Sequence, residues 1–567
     1  MKSMKKYIFL LVFFTHLLVA EAQVATYSWK GSTNDSWSEP ANWIRSSGAT
    51  SPLPDANSAV IIQKLSVATP NYPKLVENSN AKIIVIQEGA SLDIAGFFIT
   101  DTSLSVCKIV NYGDLKLTGT NVQKTWFEQS GKIELKEKST VTYNAGSTDE
   151  IWKGPYKNLT LFRDVRANEL IVDKNTIIKN PITITSEKQQ YKDGVKAFGN
   201  VIFTTNSNNG TINFESVLVA VPSNNITITK GIVSVKKKIK ANKLDVAGKS
   251  FVAEQDIELT DNFEGKSEKI ETRGSINAKN INIASSCDEW ISNNLTVTED
   301  ISQNGKKWKC NAIVQAKNIN AGLTCTNWTS TNDVIVEEDI IVNDATAWKA
   351  NSGNISFKKN LIASQLEQGT GKVIANGVGT QSIKAKKIKE LEIAQTSIST
   401  LAGLNPTAQI IEKLNNLGIF AISVNTNLTI TELNNSANAT LTSNTTTLTL
   451  TSHINNAGIV NISKLKLLPT GNAIKIEGNS VANHTSIASL SFELAGGKTF
   501  QIKNKIAVVA ELKLSGTSNA NLLNVEGEGA ISVSSSLTGE GDFLAVRTNI
   551  PIENGTYKTI RSKPEGS

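Results

Sequence analysis

Short stretches in which apolar and polar residues alternate recur along most of the 567-residue chain. Each is a few residues long and is bounded by Gly, Asn or Asp. A period of two indicates a strand with one buried face, and the bounding residues favour turns. The clearest examples are KIIVIQ (82–87), SLDIAG (91–96), DLKLTG (114–119), KIELKEKSTVTYN (132–144), NLTLF (158–162), PITITS (181–186) and NITITK (225–230). The pattern predicts an all-β protein.

One stretch, NPTAQIIEKLNNLG (405–418), has helical spacing instead. Asn405 suits an N-cap, Pro406 suits the first helical position, and Gly418 suits the end. The apolar residues that would share one side of this helix are Ile410, Ile411, Leu414 and Leu417. The sequence therefore predicts one short helix in a β-rich C-terminal region.

An internal repeat decides how the strands are arranged. AKNINIASSCDEW (278–290) returns as AKNINAGLTCTNW (316–328), an offset of 38 residues, and the copies extend over 278–351. A unit this short cannot cover its own apolar face, so it must stack on its neighbours, as in a parallel β-helix. One large coil or two small coils per repeat both fit. Immunoglobulin-like sandwiches would need units of about 100 residues, which are not found.

A weaker internal sequence similarity has a longer offset of 232 residues. It aligns VTYNAGSTDEIWKGPYKNLTL (141–161) with VIANGVGTQSIKAKKIKELEI (373–393). The predicted organisation is a signal peptide (1–22), a Trp-rich cap with the first coils (23–105), a repetitive β-helix (106–396) and a C-terminal β-rich region (397–567).

The first residues predict export. Lys2, Lys5 and Lys6 precede the apolar stretch YIFLLVFFTHLLVA (7–20), and small residues follow it, as in a secretory signal peptide. No later stretch approaches about 20 apolar residues, so no transmembrane segment is expected in the mature chain. The protein is predicted to be secreted or exposed at the cell surface.

The formal net charge of +7 is small for this length and gives no sign of nucleic-acid binding. Lysines nevertheless cluster in VSVKKKIKANK (233–243) and IKAKKIKE (383–390). We expect solvated outer strand faces there, with binding of a polyanion or an acidic glycan as the alternative.

Three of the nine tryptophans, Trp29, Trp37 and Trp43, lie in YSWKGSTNDSWSEPANW (27–43). Exposed tryptophans could stack on sugar rings. Buried ones could instead close the end of a coil stack, which otherwise exposes unpaired strands and an open core. We expect the second role, a structural cap.

The same stretch, followed by PLPDANSAVII (52–62) and NYPKL (71–75), resembles the start of bacterial secreted and surface β-helix proteins, the filamentous-haemagglutinin-like and autotransporter-passenger-like adhesins. The resemblance implies a right-handed parallel β-helix at the cell surface or outer membrane. It also implies export machinery and host or matrix surface molecules, glycans among them, as partners. Autotransporters end in a membrane domain, whereas this sequence ends in IRSKPEGS, so the export route stays open.

Candidate catalytic groups are few. After removal of a signal peptide, the histidines are His453 and His484, and neither has metal-ligand spacing to a cysteine or to paired carboxylates. The acidic pairs Glu299/Asp300 and Glu338/Asp339 occupy equivalent repeat positions, which indicates turn residues copied by duplication. We expect a non-enzymatic adhesin or structural stalk without cofactor or metal. The alternative is a carbohydrate-active enzyme or a glycan-binding module on the same scaffold.

The four cysteines are too few for a disulfide framework in a chain of this length. Cys287 and Cys325 are equivalent repeat positions, and stacked strands lie about 4.8 Å apart. Equivalents one coil apart could bond, whereas those two coils apart could not. The sequence allows at most one disulfide among Cys287, Cys310 and Cys325, with Cys107 unpaired.

Overall fold

The computed structural model describes residues 24–46, 49–102, 106–119, 132–144, 150–152, 154–403, 408–423, 427–468, 470, 473–477, 485–494, 499–502, 505–516, 522–525, 530–533, 536–541 and 545–548. Strands make up 56% of the structure, and the described part contains one 3-10 turn, Pro40–Asn42, and no α-helix. None of the described residues form a helix of the length and hydropathy that crossing a membrane requires. The predicted signal peptide (1–22), His484 and the last residues, 560–567, lie outside the described ranges.

The chain divides into two compact units, Met1–Lys269 and Ile270–Ser567. Strands β1 to β26 are, in order, Thr26–Trp29, Trp43–Arg45, Ala59–Ile62, Ser79–Asn80, Ile83–Ile86, Ser91–Asp93, Ile99–Thr100, Lys108–Asn111, Asp114–Leu117, Ile133–Leu135, Thr140–Tyr143, Asn158–Leu161, Val165–Val172, Thr176–Ile178, Ile182–Tyr191, Val195–Ala197, Val201–Thr204, Thr211–Phe214, Leu218–Ala220, Ile226–Ile228, Ile232–Val235, Ile239–Ala241, Leu244–Val246, Ser250–Ala253, Ile257–Leu259 and Asn262–Gly265. Strands β27 to β57 are Lys269–Thr272, Ile276–Ala278, Asn280–Ile283, Glu289–Ser292, Leu295–Val297, Asp300–Gln303, Lys307–Cys310, Val314–Ala316, Asn318–Ala321, Asn327–Ser330, Val334–Val336, Ile340–Ala350, Ile355–Phe357, Asn360–Gln368, Val373–Ala375, Thr380–Ala385, Lys387–Ile393, Ile398–Leu401, Gln409–Asn416, Ile419–Ile422, Leu428–Asn435, Thr440–Asn456, Ile459–Leu467, Ala473–Glu477, Thr485–Leu494, Thr499–Ile502, Lys505–Gly516, Leu522–Val525, Ala530–Val533, Ser536–Gly541 and Ala545–Thr548.

The first unit begins with a six-stranded sheet in the order β10-β8-β5-β3-β1-β2. Its neighbours pair in parallel except at one edge, where β2 runs antiparallel to β1 and brings Trp43 opposite Trp29. The sheet therefore ends on a strand whose direction differs from all the others.

The remaining strands of each unit pair in parallel with the equivalent strand one coil later. In the first unit β18 pairs with β21 and β21 with β24. In the second, β30 pairs with β33 and β33 with β36. The described coils amount to a parallel β-solenoid of about 19 turns, which confirms the predicted fold class.

Each coil strand buries every second side chain. In Ile276–Ala278, Leu295–Val297 and Val314–Ala316 the first and third residues are buried and the middle one points outward. Full burial of one Ile, Leu or Val contributes about 1.5–3 kcal/mol. The alternating apolar and polar residues of the sequence thus correspond to the inward-facing and outward-facing side chains of the coils.

The 38-residue repeat consists of two coils. Trp290 pairs with Trp308 in the next coil, and Trp308 pairs with Trp328 in the coil after that. The internal similarity at offset 232 also has a structural counterpart. Val141 pairs with Leu159, and the residues 232 positions later, Val373 and Leu391, pair in the same way.

The predicted helix at 405–418 is wrong. Its described residues form strand β45, Gln409–Asn416, in which Ile411 and Leu414 are buried. Two successive outward residues, Glu412 and Lys413, lie between them. This corner gives the buried residues the spacing of three that suggested a helix.

Parallel pairing on both sides fixes β45 as a strand. Leu414 stacks between Leu391 and Leu433 of the two adjacent coils. Gly418, interpreted from sequence as a helix stop, is instead required for close packing, since a Cβ atom there would lie 2.3 Å from the Ala394 carbonyl oxygen. Tertiary packing overrides the local helical signal.

Candidate functional site

The three N-terminal tryptophans form one cluster at the edge of the first sheet. The Trp43 ring lies edge-on to Trp29 and to Trp37, with centroids 4.8 Å apart in both pairs. Trp29, Trp37 and Trp43 are only 0%, 2% and 6% exposed. Their rings contact each other and the protein core, in the position expected of a cap.

Two of these indoles also have internal hydrogen-bond acceptors. Trp29 Nε1 donates to the Asn71 carbonyl oxygen at 2.6 Å, and Trp43 Nε1 donates to that of Trp37 at 2.9 Å. A sugar-binding platform needs an exposed ring face, whereas these rings are covered. The arrangement supports closure of the sheet edge.

Four further tryptophans, which the sequence analysis did not connect, form a ladder inside the tandem repeat. Trp290, Trp308, Trp328 and Trp348 stack face to face in successive coils, with centroid distances of 4.9, 4.6 and 3.9 Å. All four are buried. Their spacing of 18, 20 and 20 residues was the sequence signal for two coils per repeat.

All four cysteines are buried free thiols, so the disulfide that the sequence allowed is not formed. The register explains this for the equivalent pair, because Gly305 lies in the intervening coil and stacks against Cys287. Cys287 and Cys325 are therefore two coils apart and beyond disulfide reach. Burial raises the pKa of the Cys287 thiol to about 12 and that of Cys325 to about 11.

The two acidic pairs make equivalent contacts with the following coil. Glu299 pairs with Lys317 at 3.1 Å, and Glu338 pairs with Lys359 at 2.9 Å. The hydrogen bond from Lys359 lowers the pKa of Glu338. These carboxylates contribute to a repeated inter-coil contact, as copied turn residues would.

The adjacent aspartates behave in the same way. Asp300 Oδ1 accepts from Asn318 Nδ2 at 2.8 Å, and Asp339 Oδ1 accepts from Asn360 Nδ2 at 2.7 Å. His453 lies 3.6 Å from Glu432 on an outward face. Within the described residues no three His, Cys, Asp or Glu side chains converge as a metal site.

The structure distinguishes the two lysine clusters. In the first, Lys236 pairs with Glu215 at 2.7 Å, and Lys238 pairs with Glu258. The hydrogen bond from Lys238 lowers the pKa of Glu258. This cluster is largely neutralised by carboxylates of adjacent coils.

The second cluster lies beside a solvent-open groove of about 580 Å³. Its walls include the second half of β40 and the start of β43. The exposed lysines in this lining are Lys386, Lys387 and Lys389. We call it the basic groove.

A change in register accompanies the groove. In β38 four residues, 343–346, lie opposite the single Ser364 of β40, because pairing jumps from Val342 to Ala347. The following ladder between β40 and β42 ends at Ala363 and Ala385. The regular stacking of coils is interrupted at this corner.

A glutamine side chain connects the two walls. Gln368 Oε1 accepts from the Lys389 backbone N–H at 2.8 Å, and Gln368 Nε2 donates to the Glu390 carbonyl oxygen at 3.1 Å. Because the backbone of Lys389 is held in this way, its side chain projects from a fixed position. Sequence reasoning identified the lysines but had no signal for the groove.

Comparisons with known proteins give no relative: no protein-family model, no curated protein and no solved structure matches this chain.

Proposed function

We propose that this protein is a non-enzymatic, secreted or surface-exposed β-solenoid that acts as an adhesin or structural stalk. The coils supply the scaffold, and their outward side chains supply the contact surface. The signal-peptide pattern at residues 1–22 supports export.

The observation that carries the proposal is the repetition of outward contacts from coil to coil. Ion pairs between adjacent coils occur in both units, as in Lys192–Asp173 at 2.8 Å and Lys359–Glu338 at 2.9 Å. Each exposed pair adds only about 0–1 kcal/mol, but such pairs recur on the outer faces of successive coils. A surface built by repetition suits attachment through many weak contacts.

A bead-adhesion assay tests the proposal. Beads coated with the mature chain, residues 23–567, are allowed to settle on epithelial cells, collagen and polysaccharide films. We expect more beads to be retained under flow than beads coated with albumin or with the heat-denatured chain. Retention no greater than these controls on every surface contradicts the adhesin.

The same protein is incubated with a panel of neutral and acidic polysaccharides. We expect no release of reducing ends and no absorbance from unsaturated uronates. Turnover of any substrate would favour the alternative, a carbohydrate-active enzyme on a β-helix scaffold.

A further inference from the structure

The basic groove carries a local excess of positive charge. Its two carboxylates are already engaged: Glu367 lies 3.6 Å from Lys349, and Glu412 lies 2.7 Å from Lys387. Each is therefore balanced by a lysine of an adjacent coil.

Two lysines of the groove do not take part in these ion pairs. Among the described residues, Lys386 and Lys389 make no ion pair, and both side chains are exposed. Lys384, on the strand just before the groove, also makes none within the described ranges. The groove lining thus carries three lysines against two carboxylates, and Lys384 adds a further cation nearby, which gives a local positive potential.

The groove also presents neutral hydrogen-bonding groups. Gln365 is exposed in the lining beside the lysines, and its amide offers both a donor and an acceptor. Ammonium groups suit carboxylates or sulfates, and an amide suits hydroxyls. A polymer that carries both kinds of group at short intervals is an acidic polysaccharide.

We propose that the basic groove binds an acidic polysaccharide, with Lys386 and Lys389 contacting its carboxylates and Gln365 its hydroxyls. This inference rests on the proposed adhesin function, because it names the ligand class. The first lysine cluster, at 233–243, does not share this role, since carboxylates of adjacent coils already neutralise its lysines.

The test compares two double variants that change net charge equally. Lys386→Gln/Lys389→Gln removes the unpaired cations of the groove, and Lys236→Gln/Lys238→Gln removes two paired ones. Binding of the mature chain to immobilised polygalacturonate is measured at 50 and 150 mM salt, with neutral dextran and double-stranded DNA in parallel. Circular dichroism and thermal unfolding verify that both variants fold.

We expect the wild type and the Lys236/Lys238 variant to bind polygalacturonate alike, more weakly at the higher salt. The Lys386/Lys389 variant should bind about 2- to 30-fold more weakly, as expected for two exposed charge pairs. No binding by the wild type, equal losses in both variants, or no loss in the groove variant would overturn the inference. Groove-dependent binding to DNA of the same strength would overturn the assignment to polysaccharide.

The bead assay separates the two proposals. If beads carrying the Lys386/Lys389 variant adhere to an acidic-polysaccharide film as well as wild-type beads do, the groove assignment fails while the adhesin stands. If wild-type beads adhere to no surface, the adhesin itself fails.

Discussion

The tryptophan ladder offers a sharp test, because its indole N–H groups are not equally satisfied. Trp308 Nε1 donates to Ser292 Oγ at 3.1 Å, and Trp348 Nε1 donates to Ser330 Oγ at 3.0 Å. Trp328 Nε1 is buried and has no hydrogen-bond partner among the described residues. Each of these tryptophans pairs with a tryptophan of the preceding coil, and the residue two positions after that partner differs among them. It is Ser292 for Trp308 and Ser330 for Trp348, but Cys310 for Trp328.

The register predicts what a serine at position 310 would do. Cys310 pairs with Ser292 on one side and Ser330 on the other, so its side chain occupies the place of the two serines that accept from an indole. We expect Cys310→Ser to be more stable than Cys310→Ala by about 0.5–1.5 kcal/mol, the net contribution of one hydrogen bond. The alanine variant controls for the lost sulfur.

The reverse substitution should be costly. Ser330→Ala removes the acceptor of Trp348, which is 0% exposed and therefore not reached by water. An orphaned buried donor costs about 1–3 kcal/mol. The deleted oxygen leaves less space than a water molecule needs, so solvent should not restore the bond.

Urea unfolding followed by tryptophan fluorescence measures these differences, and hydrogen exchange shows whether they are confined to residues 289–350. The exchange readout matters because long repeat arrays do not always unfold in one step. A Cys310→Ser variant no more stable than Cys310→Ala, or a neutral Ser330→Ala, would refute the assignment of these hydrogen bonds.

Three further outcomes are expected. Replacing Trp37 or Trp43 with Ala should destabilise the first coils by about 3–5 kcal/mol and make them protease-sensitive. Variants that keep their stability but lose binding on a glycan array would instead favour the interpretation of these tryptophans as a sugar-binding platform. The Cys325 thiol, with its pKa raised to about 11 by burial, should resist iodoacetamide at pH 8 until the protein is unfolded, and rapid labelling of the native chain would contradict its burial. Hydrogen bonds from Lys157 and Lys192 lower the pKa of Asp173 below its ordinary value of 3.8, so its contribution to stability is present at neutral pH and is lost as pH falls from about 5 through the native pKa. Thermal unfolding of Asp173→Asn should consequently depend less on pH in this range than the wild type, and parallel curves would contradict the ion pairs.

The solenoid could be predicted from the sequence because each coil strand has one solvent-exposed face and one buried face. Polar and apolar residues therefore alternate along the strand. The prediction failed at β45, where a corner places two outward residues between Ile411 and Leu414 and so imitates a helix. Ile410 and Leu417, assigned to the apolar side of that helix, are both 38% exposed. Only contact with adjacent coils distinguishes the two structures.

The candidate site was less accessible to sequence reasoning. The lysines at 383–390 were visible as a cluster, but their partners belong to other coils and depend on register. The groove lies beside the jump in register between Val342 and Ala347, which no local pattern indicates. The buried cluster of Trp29, Trp37 and Trp43, in contrast, was recognisable because the three residues lie within one short stretch.

The most direct test of the solenoid account is a pair of deletions in the tandem repeat. Removing residues 278–296 takes out one complete coil, because Val297 occupies the register position of Ala278. Removing residues 278–287 takes out only about half a coil, and the remaining segment cannot close around the core. Far-UV circular dichroism and limited proteolysis of both variants provide the measurement. We predict a native β spectrum and protease resistance for the one-coil deletion and local cleavage in the half-coil deletion; equal tolerance of both, or failure of the one-coil deletion alone, would contradict the account.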